Sequence, residues 1–411
     1  MIKITSEMSW QDIATTAQAY RDSTIAAVEP KVPEIPTEIA LNVTDLPAKL
    51  LPAEVVELTE LPTESLLHRM ATGSLKSTQV TKAFLQRAGL AGKLVNCITE
   101  LLPERALERA TELDDHYATH GKPVGPLHGL PISVKEHIAM KGLDLNAGFI
   151  SWVGRVAPDD GLILKLLWNA GCVFYARTTE PQTLMHLETS SNIYGVTVNP
   201  YNTGLTSGGS SGGEGALLGM RGSCLGIGTD IGGSIRSPAA NQGLFGLKPT
   251  SYRLPLDGFA ATMNGQEQIV PTIGPLSTSL EGVKIFMKTL IGQKPWLYEP
   301  SLVPMPWRES EKQGSLVSLT PFALSYMVDT DNISAPQRSQ WQVPPHRRNA
   351  RRRHRQAPSS YSPRHGDSDF QTRRQPQHKH RSLPTSQTRR RLAYHQQPLL
   401  LRRRCRRESC H

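Results

Sequence analysis

The sequence predicts an α/β fold arranged around a largely buried β-sheet. Three apolar runs have the length and composition of buried strands, and helical segments alternate with them along the chain. The runs are "LPISVKEHIAM" (130–140), "CVFYARTT" (172–179) and "SCLGIGTD" (223–230). A sheet packed against helices is the architecture that buries both kinds of element.

Helices dominate the N-terminal part of the chain. Apolar residues recur with the period of an α-helix in four segments: 9–28, 63–73, 76–94 and 103–121. Prolines interrupt the stretch 31–47, which is therefore predicted to be a connector. We assign residues 1–50 to an N-terminal helical segment with its connector.

The same alternation continues toward the middle of the chain. Residues 159–171, 212–220 and 278–292 are predicted helices, and the run "FGLKPT" (245–250) is predicted to be a short strand and turn. Up to about Arg308 the apolar periodicity is that of a folded protein. Residues 51–308 are therefore assigned to one domain.

The composition changes after residue 308. From Asn332 onward the chain holds 20 Lys+Arg and 3 Asp+Glu, which leaves 26 basic and 33 acidic residues elsewhere. The formal net charge of +10 is thus a property of the tail and not of the mildly acidic body. Arg, Gln, His, Pro and Ser dominate there, and such a segment cannot bury enough apolar surface to offset the entropy of ordering. Residues 309–411 are predicted to be a disordered basic tail.

The cysteines and apolar runs indicate a cellular compartment. Five cysteines without regular spacing give no disulfide framework, which favours a reducing compartment. The sequence contains no run of about 18 apolar residues, so no membrane span is predicted. The N-terminus lacks the basic and apolar regions of a secretory signal. We expect a cytoplasmic protein.

Two stretches rich in glycine and serine, "SGGSSGGE" (207–214) and "GTDIGGSIR" (228–236), are the main candidates for chemistry. A flexible linker is disfavoured because helix and strand signals continue around them. A phosphate-binding loop is disfavoured because Ile231 stands where G-x-G-x-x-G needs its third glycine. Ser211 fits the G-x-S-x-G of a nucleophile elbow, but every later histidine lies in the tail, from His346 onward. The remaining interpretation is a catalytic serine that is activated by a residue other than histidine.

The candidate base is Lys135, in the apolar run 130–140. If the side chain is buried, desolvation lowers the pKa of the amine and makes its neutral form available as a base. The alternative is a lysine that reaches the surface and pairs with an acid such as Glu136. The pattern by itself favours the surface alternative and leaves both open.

At these residues the sequence resembles the amidase signature hydrolases. The segment "GPLHGLPISVKEHI" (125–138) is similar to the family's lysine motif. Its signature is similar to "VNPYNTGLTSGGSSGGEGALL" (198–218) and "GIGTDIGGSIRSPAANQGLFGLKPT" (226–250). The segments "EPQTLMHLETSSNIYGVTVNP" (180–200) and "KPWLYEPSLVPMPWR" (294–308) are most similar to fungal acetamidase-type general amidases.

The resemblance covers about residues 50–308 and implies the family's fold and mechanism. The implied fold is a mixed β-sheet covered by helices on both faces. Ser234 matches the nucleophile, Ser210 the serine after a cis peptide bond, and Lys135 the general base of a Ser-cis-Ser-Lys triad. Neutral Lys135 would take a proton through Ser210 from Ser234, whose alkoxide attacks an amide carbonyl to form an acyl-enzyme. The implied activity is hydrolysis of small carboxylic acid amides.

Other family positions surround the nucleophile. Four consecutive residues match the family's oxyanion hole through their backbone N–H groups: Ile231, Gly232, Gly233 and Ser234. Leu184 matches a substrate-lining position. Ser211, Asp230 and Arg236 match positions that support the loops, although Asp230 and Arg236 could equally form a structural ion pair.

The sequence departs from the family after residue 308. The family's domain continues well past this point, with strands and helices that complete the sheet and much of the acyl pocket. An Arg-, Gln- and His-rich run stands in their place, with the composition expected of translation in a wrong reading frame. We therefore expect an incomplete fold, and the activity of this 411-residue chain is left open.

Two alternatives to an amidohydrolase are also left open. One is the amidase subunit of a tRNA-linked amidotransferase, which the acetamidase-like segments disfavour. The other is nonspecific nucleic-acid binding by the arginine-rich tail, which lacks interleaved aromatic residues and would weaken steeply with salt. The expected partner is a small amide substrate, and a homodimer is left open. No cofactor, metal ion, specific nucleic acid or membrane span is predicted.

Overall fold

The computed structural model of the chain describes residues 7–262 and 265–309. These residues belong to one compact unit. The tail predicted to be disordered comprises residues 309–411. Of these, Glu309 is described, and residues 310–411 lie outside the described part.

Ten α-helices lie in the described part, and the ends of two of them illustrate how the sequence begins and ends a helix. The first begins after Ser9, whose Oγ accepts a hydrogen bond from the Asp12 N–H while the Asp12 carboxylate accepts one from the Ser9 N–H. The sixth begins at a proline and ends at Gly121, which has the left-handed φ of 64° common after a helix. In chain order they are α1 (Trp10–Ala26), α2 (Leu46–Leu50), α3 (Ala53–Glu60), α4 (Thr63–Ala71), α5 (Ser77–Val95), α6 (Pro103–His120), α7 (Leu162–Asn169), α8 (Gly212–Gly219), α9 (Arg236–Asn241) and α10 (Leu280–Gly292).

The strands form one six-stranded sheet and two small two-stranded sheets. In chain order they are β1 (Ile98–Leu101), β2 (Pro131–Lys135), β3 (Val173–Thr178), β4 (Ser190–Ser191), β5 (Gly195–Val196), β6 (Val198–Asn199), β7 (Asn202–Thr206), β8 (Leu225–Asp230), β9 (Phe245–Gly246) and β10 (Thr272–Ser277). The order in the large sheet is β1-β3-β2-β8-β10-β9, while β4 pairs with β5 and β6 with β7. The large sheet is mixed, because β3, β2 and β8 are parallel and the other pairs are antiparallel.

The pairing of β2 with β8 positions the candidate residues. The two strands are parallel, and Ser133 of β2 lies opposite Gly226 of β8. Lys135 is the last residue of β2, and Asp230 is the last residue of β8. Because carboxyl ends of parallel strands meet at one edge of a sheet, this pairing brings the lysine motif beside the loop that follows β8.

The core lies between the large sheet and the helices that pack on it. α5 is buried along most of its length and contacts α3, α6 and the strands β1, β2 and β3. The short helix α8, which follows the first serine stretch, is buried at every residue. It contacts β2, β3, β8 and β10, so the first serine stretch is held against the centre of the sheet.

The predicted α/β fold with a mixed sheet is confirmed, and two strands of that sheet escaped prediction. β1 has only four residues, too few for a clear alternation of apolar and polar positions. β10 contains Gly274 and Pro275, both residue types that count against a strand. A side chain at Gly274 would meet the carbonyl oxygen of Leu247, so close backbone packing favours glycine in this strand.

Candidate active site

Lys135 is buried at the end of β2, with 0% of its surface exposed. Its Nζ lies 2.7 Å from Ser210 Oγ and 3.1 Å from Thr229 Oγ1. The Glu136 side chain, which was one possible partner in the surface alternative, accepts a hydrogen bond from the Asn146 N–H at 2.7 Å and is itself buried. The surface alternative for Lys135 is therefore wrong, and the amine lies beside a serine in the protein interior.

Burial lowers the pKa of Lys135 from 10.5 to about 7. The carboxyl groups of Glu180, Asp230 and Glu214 act in the opposite direction, because a nearby negative charge favours the ammonium form. Burial also raises the pKa of Glu214 to about 7 and that of Glu180 well above its usual value, which weakens both as counter-ions. Near neutral pH, Lys135 can therefore be an uncharged amine, which is the form that a general base needs.

Ser210 lies between β7 and α8 and is buried. The peptide bond that joins it to Gly209 is cis, which confirms the bond implied by the family resemblance. The neighbouring Ser211 places its Oγ 3.3 Å from both the backbone N and the carbonyl oxygen of Thr229. The Ser211 N–H donates to the carbonyl oxygen of Ser234 at 3.0 Å. Ser211 therefore joins the two serine stretches, and its hydroxyl contacts backbone atoms of β8.

Asp230 holds the loop that carries Ser234. Its carboxylate accepts hydrogen bonds from the backbone N–H groups of Gly233 at 2.7 Å and Ile235 at 3.1 Å. Both of its oxygens also lie 3.0 Å from guanidinium nitrogens of Arg236. Burial alone would raise the pKa of Asp230, but the hydrogen bonds from Arg236 and the backbone outweigh it and lower the pKa. The ion pair therefore forms, and its acidic member also organises the loop.

The predicted set of four oxyanion-binding N–H groups is reduced by one in the structure. The Gly233 N–H already donates to the Asp230 carboxylate. None of the described residues accepts a hydrogen bond from the N–H of Ile231, Gly232 or Ser234. The three remaining donors can therefore bind a negatively charged oxygen, whereas Gly233 is held by the loop itself.

Ser210 and Ser234 line the same cavity, which has a volume of about 320 Å³. Leu184, the predicted substrate-lining residue, also lines this cavity from a 3₁₀ turn (Gln182–Leu184). Asp230 and Ile231 contribute to the same wall. The rest of the lining is mostly apolar and includes Met185, Tyr252, Leu256, Phe259, Ala261 and Val270. Lys135, Ser211, Gly232, Gly233 and Arg236 are not among the lining residues, so the lysine lies behind Ser210.

Two polar residues of this site, His137 and Thr229, were not predicted from the sequence. His137 Nε2 lies 2.9 Å from Thr229 Oγ1, and both residues line the cavity. One signal could have found His137, because it lies in the same sequence motif as Lys135, two positions further along the chain. Thr229 directly precedes Asp230 in the second serine stretch and could have been included with it.

The described residues contain neither a cluster of metal ligands nor a membrane-spanning helix. No three or more of their His, Cys, Asp and Glu side chains are grouped so that they could hold a metal ion. None of their helices combines the length and apolarity needed to cross a bilayer. Cys97, Cys172 and Cys224 are buried free thiols.

Comparison with known proteins shows similarity to amidases. A family model described as Amidase matches residues 79–343, so the match begins and ends later than the resemblance over residues 50–308. An acetamidase of Emericella nidulans is 46% identical over 305 residues, covering 74% of this chain and 55% of the relative. An acetamidase of Aspergillus oryzae is 44% identical over 332 residues, covering 80% and 60%. The chain thus spans little more than half the length of these relatives.

Solved structures show the same relationship at the level of the fold. A fatty acid amide hydrolase matches with a TM-score of 0.68 and 39% identity, covering 73% of this chain and 55% of the other. A peptide amidase from Stenotrophomonas maltophilia matches with a TM-score of 0.55 and 30% identity, covering 61% and 51%. These relatives carry the names of amidases and hydrolases, so they do not support the amidotransferase or nucleic-acid alternative.

Proposed function

Because the chain belongs to the amidase signature family, we propose that it is an amidohydrolase that cleaves the C–N bond of small linear carboxylic acid amides. The observation that carries the proposal is the contact of 2.7 Å between buried Lys135 and Ser210, behind the cavity that Ser234 lines. The products are a carboxylate and ammonia or an amine.

The proposed reaction begins with proton transfer from two serines to the lysine. Neutral Lys135 accepts the proton of Ser210 as Ser210 accepts that of Ser234, and the Ser234 oxygen attacks the amide carbonyl. The proton then returns along the same residues to the leaving nitrogen as the C–N bond breaks. Water hydrolyses the resulting acyl ester of Ser234 and regenerates the enzyme. The pKa of Lys135, about 7, supports its role as base because it lies near the working pH.

The backbone around Ser234 supplies the proposed oxyanion hole. The N–H groups of Ile231, Gly232 and Ser234 have no acceptor among the described residues and can donate to the tetrahedral oxygen. One such donor is worth about 3 kcal/mol of transition-state stabilisation. Asp230, paired with Arg236, supports this loop through its hydrogen bond from the Gly233 N–H.

The cavity supports a small acyl group as the substrate. Its volume of about 320 Å³ lies at the lower end of the range of roughly 300–1,000 Å³ for ligand pockets. Leu184 and its apolar neighbours favour an uncharged acyl chain. The names of the two acetamidase relatives are consistent with a short one.

The proposal includes amide hydrolysis by this chain itself. Its serines and lysine lie within the described residues, yet the chain covers only 55% to 60% of the acetamidases it matches. A cytoplasmic location also belongs to the proposal. The buried free thiols of Cys97, Cys172 and Cys224 support it, since a reducing compartment keeps thiols unpaired.

The test is hydrolysis of acetamide and benzamide, measured as ammonia release. Ser234→Ala should reduce turnover to the background rate because it removes the nucleophile. The matched control is Ser211→Ala, in the elbow-like position of the first serine stretch. It should lose about 1 kcal/mol of stability and keep measurable turnover, since the Ser211 hydroxyl contacts backbone atoms of Thr229. A chain extended with the C-terminal region of a full-length acetamidase relative serves as a second host for both variants.

The outcomes separate the assignments. Undiminished hydrolysis by Ser234→Ala in either host would refute the nucleophile. Loss of turnover in Ser211→Ala equal to that in Ser234→Ala would favour a nucleophile elbow at Ser211. Turnover by the extended chain alone would show that the residues are correctly assigned and that this chain lacks part of the pocket.

A further inference from the structure

A continuous series of hydrogen bonds leads from a backbone carbonyl to Lys135. The carbonyl oxygen of Ala260 lies 2.9 Å from His137 Nδ1. His137 Nε2 lies 2.9 Å from Thr229 Oγ1, and Thr229 Oγ1 lies 3.1 Å from Lys135 Nζ. All three side chains are buried, with exposed fractions of 6% or less. The series joins the segment around Ala260 to the amine that contacts Ser210.

The carbonyl of Ala260 determines the direction of every bond in the series. A carbonyl oxygen only accepts, so His137 Nδ1 must carry a hydrogen and donate it. Burial, and next the charge of Lys135, lower the pKa of His137 to about 3, so its ring is neutral and Nε2 has no hydrogen. Nε2 therefore accepts, and the single hydrogen of the Thr229 hydroxyl is donated to it.

The consequence for Lys135 concerns its lone pair. Because Thr229 has given its hydrogen to His137, its oxygen can only accept a hydrogen bond from Lys135. A neutral amine has two N–H groups and one lone pair, and one N–H is thus directed to Thr229. If the ring of His137 instead donated to Thr229, the threonine hydroxyl could donate to the lysine lone pair and occupy it. The lone pair could then no longer accept the proton of Ser210.

We propose that His137, acting through Thr229, positions the Lys135 amine so that its lone pair stays directed to Ser210. The use of that lone pair in catalysis rests on the proposed function. The direction of the hydrogen bonds does not depend on it. His137 and Thr229 are positioning residues, because they act through Lys135 and not on the reacting atoms.

The packing of His137 keeps the ring in this orientation. Its ring meets that of Phe259 edge to face, with centroids 5.7 Å apart and planes at 82°. The Ala260 N–H also donates to the carbonyl oxygen of His137 at 2.8 Å, so the backbones of the two segments are joined. A ring flip would place a carbon atom against the Ala260 carbonyl and lose the hydrogen bond. The direction of the series is therefore built into the contact between these segments.

The first test is independent of turnover and uses the full chain labelled with ¹⁵N in its histidine rings. Proton–nitrogen correlation should show His137 as the neutral tautomer with hydrogen on Nδ1 and none on Nε2. The ring should stay neutral down to about pH 5, since its pKa is about 3. His137→Gln identifies the signal by its loss. Hydrogen on Nε2, or a charged ring above pH 5, would overturn the proposal whether or not the chain is active.

The second test compares Thr229→Val with Thr229→Ser. Valine has the shape of threonine without the hydroxyl, so Lys135 loses an oxygen acceptor that favours its charged form. We expect kcat to fall about 10- to 100-fold, KM to change less than about threefold, and the acidic limb of kcat/KM to move to lower pH. Serine should restore both the rate and the pH profile. The groups that act on the titration of Lys135 are the carboxyls of Glu180, Asp230 and Glu214, and all three are retained.

A matched control separates positioning from the general loss of a buried hydroxyl. Thr59 is also buried, and its Oγ1 both donates to the Val55 carbonyl and accepts from Arg87 at 2.7 Å. Thr59→Val should lower stability without moving the pH profile. A pH profile unchanged in Thr229→Val, with a fall in kcat that serine does not rescue, would refute positioning. If the unmodified chain and its extended form both lack turnover, the proposed function fails, while the ring tautomer still decides this inference.

Discussion

The two serine stretches are both rich in glycine, but their glycines have different surroundings. In the first, Gly209, Gly212 and Gly213 lie against other parts of the chain, and a side chain added at any of them would overlap neighbouring atoms. In the second, a side chain at Gly232 would meet no atom within 4 Å. Gly233 has a φ of +131°, which favours glycine through the backbone and not through packing. Close packing therefore favours glycine at positions 209, 212 and 213, whereas backbone conformation favours it at position 233.

This difference matches the roles proposed for the two serines. Ser210 lies in the packed stretch, where its hydroxyl contacts the buried amine of Lys135. Ser234 lies in the open stretch, at the cavity, where free backbone N–H groups can meet a substrate. A proton relay needs exclusion of water and fixed distances, whereas a nucleophile needs access. The comparison predicts unequal responses to similar substitutions.

The largest effect is expected for Gly213→Ala. Gly213 lies in α8, where alanine has a higher helix propensity by about 1 kcal/mol. Its new methyl group would, however, overlap the backbone N and O of Thr179, which cannot move without disturbing the end of β3. We expect a net loss of about 3 kcal/mol in the free energy of unfolding, measured by urea denaturation.

Gly232→Ala is the matched control for this prediction. Because no atom lies near the added methyl group, the free energy of unfolding should change by less than about 1 kcal/mol. Equal losses in the two variants would contradict the comparison, since they would mean that both stretches are packed alike.

An intermediate effect is expected for the pH dependence of stability in Lys135→Met. The pKa of Lys135 is lowered from 10.5 to about 7, so between these values the unfolded chain binds more protons than the folded chain. Stability should therefore rise with pH across this window, by about 1.4 kcal/mol per pH unit at most. Below the window the lysine is charged in both states, and its contribution no longer changes. In the methionine variant this dependence should be absent.

Urea denaturation of both proteins at several pH values between about 7 and 10 measures the difference. The unmodified chain should gain stability relative to Lys135→Met as the pH rises. Parallel profiles would indicate that Lys135 keeps its usual pKa in the folded chain and that the packed stretch admits water.

The smallest effect is expected for Arg236→Gln in the open stretch. The Arg236 side chain is 53% exposed, so its ion pair with buried Asp230 is partly screened by water. Asp230 retains the hydrogen bonds from Gly233 and Ile235 in this variant. The free energy of unfolding should fall by less than about 1 kcal/mol at neutral pH. A loss as large as that of Gly213→Ala would place Arg236 among the residues on which the fold depends.

Local patterns predicted most of the fold, and the family motifs predicted the two serines and the lysine of the candidate site. The residue patterns of segments 76–94 and 103–121 predicted α5 and α6 nearly to their ends. α6 buries one face along its own sequence, whereas α5 is buried along most of its length. The strand β10 was not predicted, because its Gly274 pairs with Gly228 and packs against Leu247, and both of these residues lie far away in the sequence. The donor role of Gly233 was likewise misjudged, because the Asp230 side chain had to be placed before its hydrogen bond was visible.

The family motifs, the alternation of helices and strands, and the candidate serines and lysine are visible along single segments of the chain. The folded structure adds that Lys135 is buried, that Ser210 is its neighbour, and that Thr229 links its amine to His137. These contacts were not predicted because desolvation and hydrogen-bond direction depend on atoms brought together from β2, β8 and the loops after them. A pattern along one segment reports which face is apolar, but it does not report which polar atoms meet inside.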